Sequence, residues 1–194
     1  MLFSRDEFPF GETWEEWTSN WWRWILSFPK RDNPGYDNNG EKVLANQNFV
    51  DLLFLAGTYG GPAERTICVP TGKSLLLPVI NYITSYSENP FLKTEEELIS
   101  DARSNIDDIS DKEASIDGVI LEHLNRYRVV TGTFRIVFPK DNIYGIKPGE
   151  TKAVSDGYWL FLKPLTRGDH CIATYGSCLS GRVKIQVKYN ITVQ

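Results

Sequence analysis

The sequence predicts a mainly β fold: an antiparallel β-sandwich, jelly-roll-like, with an N-terminal Trp-rich helix and one inserted helix. Three observations carry this. Many short strand-like segments are separated by Gly/Pro turns, which favours a sandwich or barrel over an α/β fold. The closing segment alternates Ile185, Val187, Tyr189, Ile191 and Val193 with polar residues, a period of two with one wet face. Trp14, Trp17, Trp21, Trp24, Ile25 and Phe28 recur at helical spacing behind a capping box made by Thr13 and Glu16.

Taken in order, the first helix runs from Trp14 and is stopped by Pro29, and its tryptophan stripe should pack on the sheet. Trp22 lies off that stripe and is expected to face solvent, a loop or a ligand. Residues 30–48 form a loop with turn chemistry at Asn33-Pro34-Gly35 and Asn39-Gly40. Val50 to Ala56, Arg65 to Val69 and Ser74 to Tyr82 read as strands. A second helix begins at Thr94, capped with Glu97, with Leu98, Ala102 and Ile106 on its apolar stripe. Asp117-Gly118 between apolar triplets is a strong hairpin signal. Tyr127 to Phe138, Gly157 to Leu162, Cys171 to Tyr175 and the closing segment complete the strands. With no internal repeat and no second core, residues 1–194 read as a single domain.

Composition narrows the functions. Of 194 residues, 41% are hydrophobic, as in an ordinary globular chain, and the net charge is -4. Lys and Arg are scattered, and the longest charge run, Glu95-Glu96-Glu97, is acidic, so nucleic acid is not expected as a partner. No apolar run reaches the roughly 20 residues of a membrane span, and no membrane partner is expected. Met1 to Glu7 lacks an apolar signal core, so the sequence as it stands reads as cytoplasmic, with export implied if a leader was removed. Three cysteines, Cys68, Cys171 and Cys178, are too few for a disulfide framework; Cys171 and Cys178 could bridge or remain thiols. No metal site and no cofactor is implied.

Several stretches read together: Trp17-x3-Trp21-Trp22-x-Trp24, Phe54-Leu55-Ala56-Gly57-Thr58-Tyr59-Gly60-Gly61, Pro78-x2-Asn81, Ala153-Val154-Ser155-Asp156-Gly157-Tyr158-Trp159 and Tyr189-Asn190-Ile191-Thr192-Val193. Over most of its length the chain resembles a widespread group of bacterial proteins with no assigned activity, many of them exported. The resemblance implies one domain and exported relatives, not a reaction. It also implies a cysteine near Val43 paired with the match of Cys68; here Val43 removes that partner.

Four constellations carry possible chemistry. The Asp/Asn loop from Asp32 to Gly40 could offer oxygens to Ca²⁺, or simply cap its own turns; its spacing is not an EF-hand. Gly57-Thr58-Tyr59-Gly60-Gly61 with Arg65 could cradle an anion, or form a tight turn with a structural arginine. His170 with Asp156 or Glu122 could make a general acid/base pair, with His123 nearby in sequence. Exposed aromatics, with Trp22 and Trp159 as the two to expect outside the core, could stack on sugar rings. The leading expectation is a small-molecule or glycan binding module using Tyr59, Arg65, Trp22 and Trp159. The alternatives are a hydrolase, lyase or isomerase using His170, Asp156 and Glu122 with Arg65 as anion clamp, and a structural or assembly subunit.

Overall fold

The structure, a computed structural model, describes residues 1–178 and 183–194. The elements in chain order are α1 (Trp14–Leu26), β1 (Leu52–Phe54), β2 (Gly61–Val69), β3 (Ser74–Ser85), α2 (Glu95–Asp107), β4 (Asp111–Ile116), β5 (Val119–Ile120), β6 (Arg128–Val130), β7 (Phe134–Phe138), β8 (Gly149–Leu162), β9 (Gly168–Cys178) and β10 (Val183–Val193). Both helices start where their capping boxes place them: Thr13 accepts from the Glu16 amide and Thr94 from the Glu97 amide, and each glutamate reaches back to its cap. The Asp117-Gly118 turn has φ of 52° and 78°, the left-handed pair a two-residue hairpin needs.

The strands form two five-stranded sheets. The first has the order β1-β3-β8-β6, with β7 also paired to β8; the second has the order β2-β10-β9-β4-β5. The expectation of purely antiparallel pairing is corrected, because β1 pairs parallel to β3 and β2 parallel to β10. Reasoning from turns assumes that neighbouring segments fold back on each other as hairpins. Here the Pro70–Lys73 turn instead carries the chain from β2 in one sheet to β3 in the other, so each strand pairs with a non-neighbour. The expected Tyr127–Phe138 strand is broken into β6 and β7 around Gly132, and both pieces pair with β8.

Strand β8 is buried on both faces and separates two cores. Tyr158, Leu160 and Leu162 point into a largely aliphatic cluster with Leu75, Leu77 and Val79 of β3 and Ile172, Val187, Tyr189, Ile191 and Val193 of the second sheet. Trp159 and Phe161 point the other way, into an aromatic cluster with Phe54 of β1, Phe134, Ile136 and Phe138 of β7, and the tryptophans of α1. Helix α2 covers the far end of the aliphatic face, with Leu98 and Ala102 on Val154 and Ile106 joining the central cluster.

All six tryptophans are 5% exposed or less. Trp159 and Trp22, both expected outside the core, are inside it. Trp159 sits on the central strand with its ring edge-on to Trp21 at 5.2 Å. The broad buried face of α1 includes Trp22 as well as the stripe. Indole N–H groups donate inward, Trp17 to Pro9 O, Trp21 to Leu55 O and Trp22 to Ser155 Oγ, each adding about 1 kcal/mol to the area buried.

Val43 is fully buried in the aliphatic cluster and Cys68 is exposed. Cys171 and Cys178 lie near opposite ends of β9, seven residues apart on an extended strand, which is roughly 23 Å. That exceeds the reach of a disulfide, and all three thiols are free. No helix among the described residues is long and apolar enough to cross a membrane.

Candidate functional site

Strand β1 pairs with β3 only from Ser74 to Leu76. Beyond that point β3 keeps β8 on one side, but among the described residues no strand pairs with it on the other. A register shift between Pro78 and Ile80 bends β3 there. The vacated edge, Ile80 to Ile83, forms part of a cleft of about 350 Å³. Trp21, Trp22 and Ile25 of α1 line it, as do Gly35, Gly57-Thr58-Tyr59, Glu88, Tyr144, Cys178 and Ile185.

Each polar wall is held by its own local structure. Tyr59 is 38% exposed, and its hydroxyl is hydrogen-bonded to the fully buried Asn33. Asn33 also donates to Ile25 O at the end of α1 and accepts from the Gly35 amide. Glycine is required at position 35, since a Cβ there would lie 2.3 Å from the Tyr59 ring. Tyr144 is presented by a loop wound around Asn142, whose side chain donates to Pro139 O and Ile146 O and accepts from the Tyr144 and Ile146 amides. Glu88 sits in the turn after β3: Ser85 Oγ donates to its carboxylate at 2.7 Å, and Tyr144 also hydrogen-bonds to it.

Among the described residues, no lysine, arginine or histidine lines this cleft. With only hydroxyl partners, burial pushes the Glu88 carboxyl up to about 7. Burial raises the Tyr59 and Tyr144 hydroxyls above the ordinary phenol range, and that of Tyr82 to about 12. Burial also raises the Cys178 thiol, which disfavours the reactive thiolate. The Nδ2 of Asn81 is buried without a hydrogen-bond partner. A second, shallower groove of about 600 Å³ runs between α1 and β7 past Glu15, Arg23, Phe134 and Arg135. Its arginines are already engaged, Arg23 by Asn20 and Arg135 O, and Arg135 by Glu150.

Of the residues singled out in the sequence, Tyr59 and Trp22 line the cleft. Arg65 stands behind it, 0% exposed, donating to Asp37 O, Ala56 O, Gly57 O and Tyr189 Oη. It ties the glycine turn to the Asp37 loop and is not turned toward a ligand. The Asp37 carboxylate accepts from the Asn39, Gly40 and Lys42 amides, which hold its pKa down despite burial.

The three residues grouped as an acid/base set do not converge. His170 pairs through Nδ1 with Asp117 at 2.8 Å and through Nε2 with Thr166 O at 2.9 Å. Both partners accept, so the pair favours the charged imidazole, and its pKa is raised chiefly by Asp117. Asp156, fully buried, is gripped by Arg128 through Nε and Nη2, with the shortest contact 2.6 Å. Glu122 lies in solvent beside His123, 3.8 Å from its Nε2. Glu88, Tyr144, Asn81 and Tyr82 were not singled out as site residues. Only Asn81 left a trace in the sequence, as a polar residue within an apolar strand segment.

No family model matches the sequence, and no curated protein matches it. A solved chain from the structure of PbICP-C in complex with falcipain-2 is similar at 10% identity, over 75% of this chain and 100% of that one, with a TM-score of 0.29. A score that low carries no argument about fold or function.

Proposed function

We propose that this chain is a small-molecule-binding module whose site is the cleft along the vacated edge of β3, with the two sheets stacked face to face as a sandwich behind it. The observation that carries the reading is the wall chemistry. Aromatic rings from Trp21, Trp22, Tyr59, Tyr82 and Tyr144 surround a few convergent polar groups, Glu88 and Asn81 among them, at the size of a small ligand. An unpartnered buried amide is costly unless a water or a ligand acceptor satisfies it. Sugar recognition on a flat row of tryptophans has no support, since none is exposed, and a glycan would have to enter this cleft. The separation of His170, Asp156 and Glu122 favours binding over the hydrolase, lyase or isomerase reading.

The test is a thermal-shift screen of a metabolite panel on the wild-type protein and on Thr58→Trp, which places an indole at the cleft mouth without touching the core. Ligands that raise the wild-type Tm should lose most of that shift in the variant. Shifts that persist unchanged in Thr58→Trp would place the binding elsewhere and remove the cleft from the proposal.

A further inference from the structure

We infer that the cleft selects an organic ammonium ion, with Glu88 as its counter-ion and the aromatic walls as its cage; this rests on the reading of the cleft as a ligand site. Three features of the geometry converge on a cation. First, among the described residues Glu88 is the only charged side chain lining the cleft. Its partners, Ser85 Oγ and Tyr144 Oη, stabilise a carboxylate without neutralising it. Second, the charge that faces Glu88 from α2 has the same sign: Asp101, which lies 3.5 Å from the Tyr82 hydroxyl. The cleft therefore repels anions and gains electrostatic energy from a cation, which low-dielectric walls enlarge. Third, five aromatic side chains, Trp21, Trp22, Tyr59, Tyr82 and Tyr144, are part of the lining, and aromatic rings are the partners that quaternary and primary ammonium groups use when desolvated.

Among the described residues, the titratable groups that act on Glu88 are Tyr144, Tyr82 and Asp101, and Tyr59 and Cys178 also line the cleft. Glu88 alone among them has a value raised to about 7, so ionising it should switch the cleft on as pH rises through neutrality.

The probes are choline and its uncharged isostere 3,3-dimethylbutan-1-ol, titrated calorimetrically into the full chain and into Glu88→Gln. At about pH 8.5 choline should bind at least about tenfold more tightly than the neutral alcohol, and at least about tenfold more tightly than it does at about pH 5.5. Glu88→Gln should abolish both differences while folding normally, because the amide keeps the shape of the side chain. Equal binding of choline and the alcohol, or full choline affinity in Glu88→Gln, would overturn the cation assignment and leave the cleft standing as a site for neutral ligands. Failure of choline, butylamine and agmatine alike to bind at millimolar concentration would also overturn it, whereas the Thr58→Trp screen decides separately whether the cleft binds anything.

Discussion

Two carboxylates near one end of the β3–β8 pair are treated in opposite ways. Asp156 is sealed from solvent, and Arg128 answers it with a bidentate fork while also reaching Asp107 at 2.7 Å. Burial still lifts its carboxyl above the ordinary range, because the whole desolvation penalty falls on the enclosed oxygens. The half-open guanidinium is held firmly charged. Glu88 is less enclosed but meets only hydroxyl groups, and its carboxyl rises to about 7. The difference separates a charge that the fold neutralises for its own sake from one that it leaves open beside a cleft.

The comparison breaks most visibly at Arg128. Arg128→Ala leaves the buried Asp156 without a counter-charge and should cost about 3–5 kcal/mol in urea denaturation, whereas Arg128→Met with Asp156→Leu should recover most of it. A single variant as stable as the double would mean that Asp156 is simply protonated in the folded state.

At Glu88 the sign reverses. Its folded value lies above the unfolded one near 4.5, so the folded state holds the proton longer, and stability falls as pH rises from about 4.5 to about 7. Glu88→Gln should therefore gain on the order of 1–3 kcal/mol relative to wild type at pH 8, and nothing at pH 4. Chemical denaturation at the two pH values measures this, and an equal effect at both would show that Glu88 is not desolvated.

The smallest effect is expected at the pair of His170 and Asp117, where Asp117 is open to solvent that screens the charges. His170 is raised, so its contribution is full below about 6.5 and fades above its folded value. Asp117 is lowered, so its contribution is full above about 3.8 and fades in acid. His170→Ala should cost up to about 1 kcal/mol near pH 5.5 and less at pH 9. A cost that grows toward alkaline pH would assign the histidine a packing role instead.

Local signals in the chain were sufficient for both helices, the Asp117-Gly118 hairpin and the burial pattern of β10, because caps, turns and alternation act between residues a few positions apart. They also marked Tyr59 and Trp22, though not what those residues face. They were silent on Glu88 and Tyr144, which carry no periodic pattern and meet only because a turn after β3 and the Asn142 loop arrive at one place. They misplaced Trp159 and Arg65. An indole in an alternating strand reads the same whether a helix or water lies above it, and an arginine beside glycines reads the same whether carbonyls or a ligand fill its fork.

What the sequence alone determined is thus both helices, most of the strand segments and the apolar faces of α2, β10 and the α1 stripe. Which strands became neighbours, and in which direction they run, was decided only in the tertiary structure, because β2 and β10 find each other across most of the chain length. The cleft belongs to that second level. It exists because β1 stops pairing with β3 after Leu76, and the end of a partner's hydrogen-bond ladder leaves no mark on the strand that loses it.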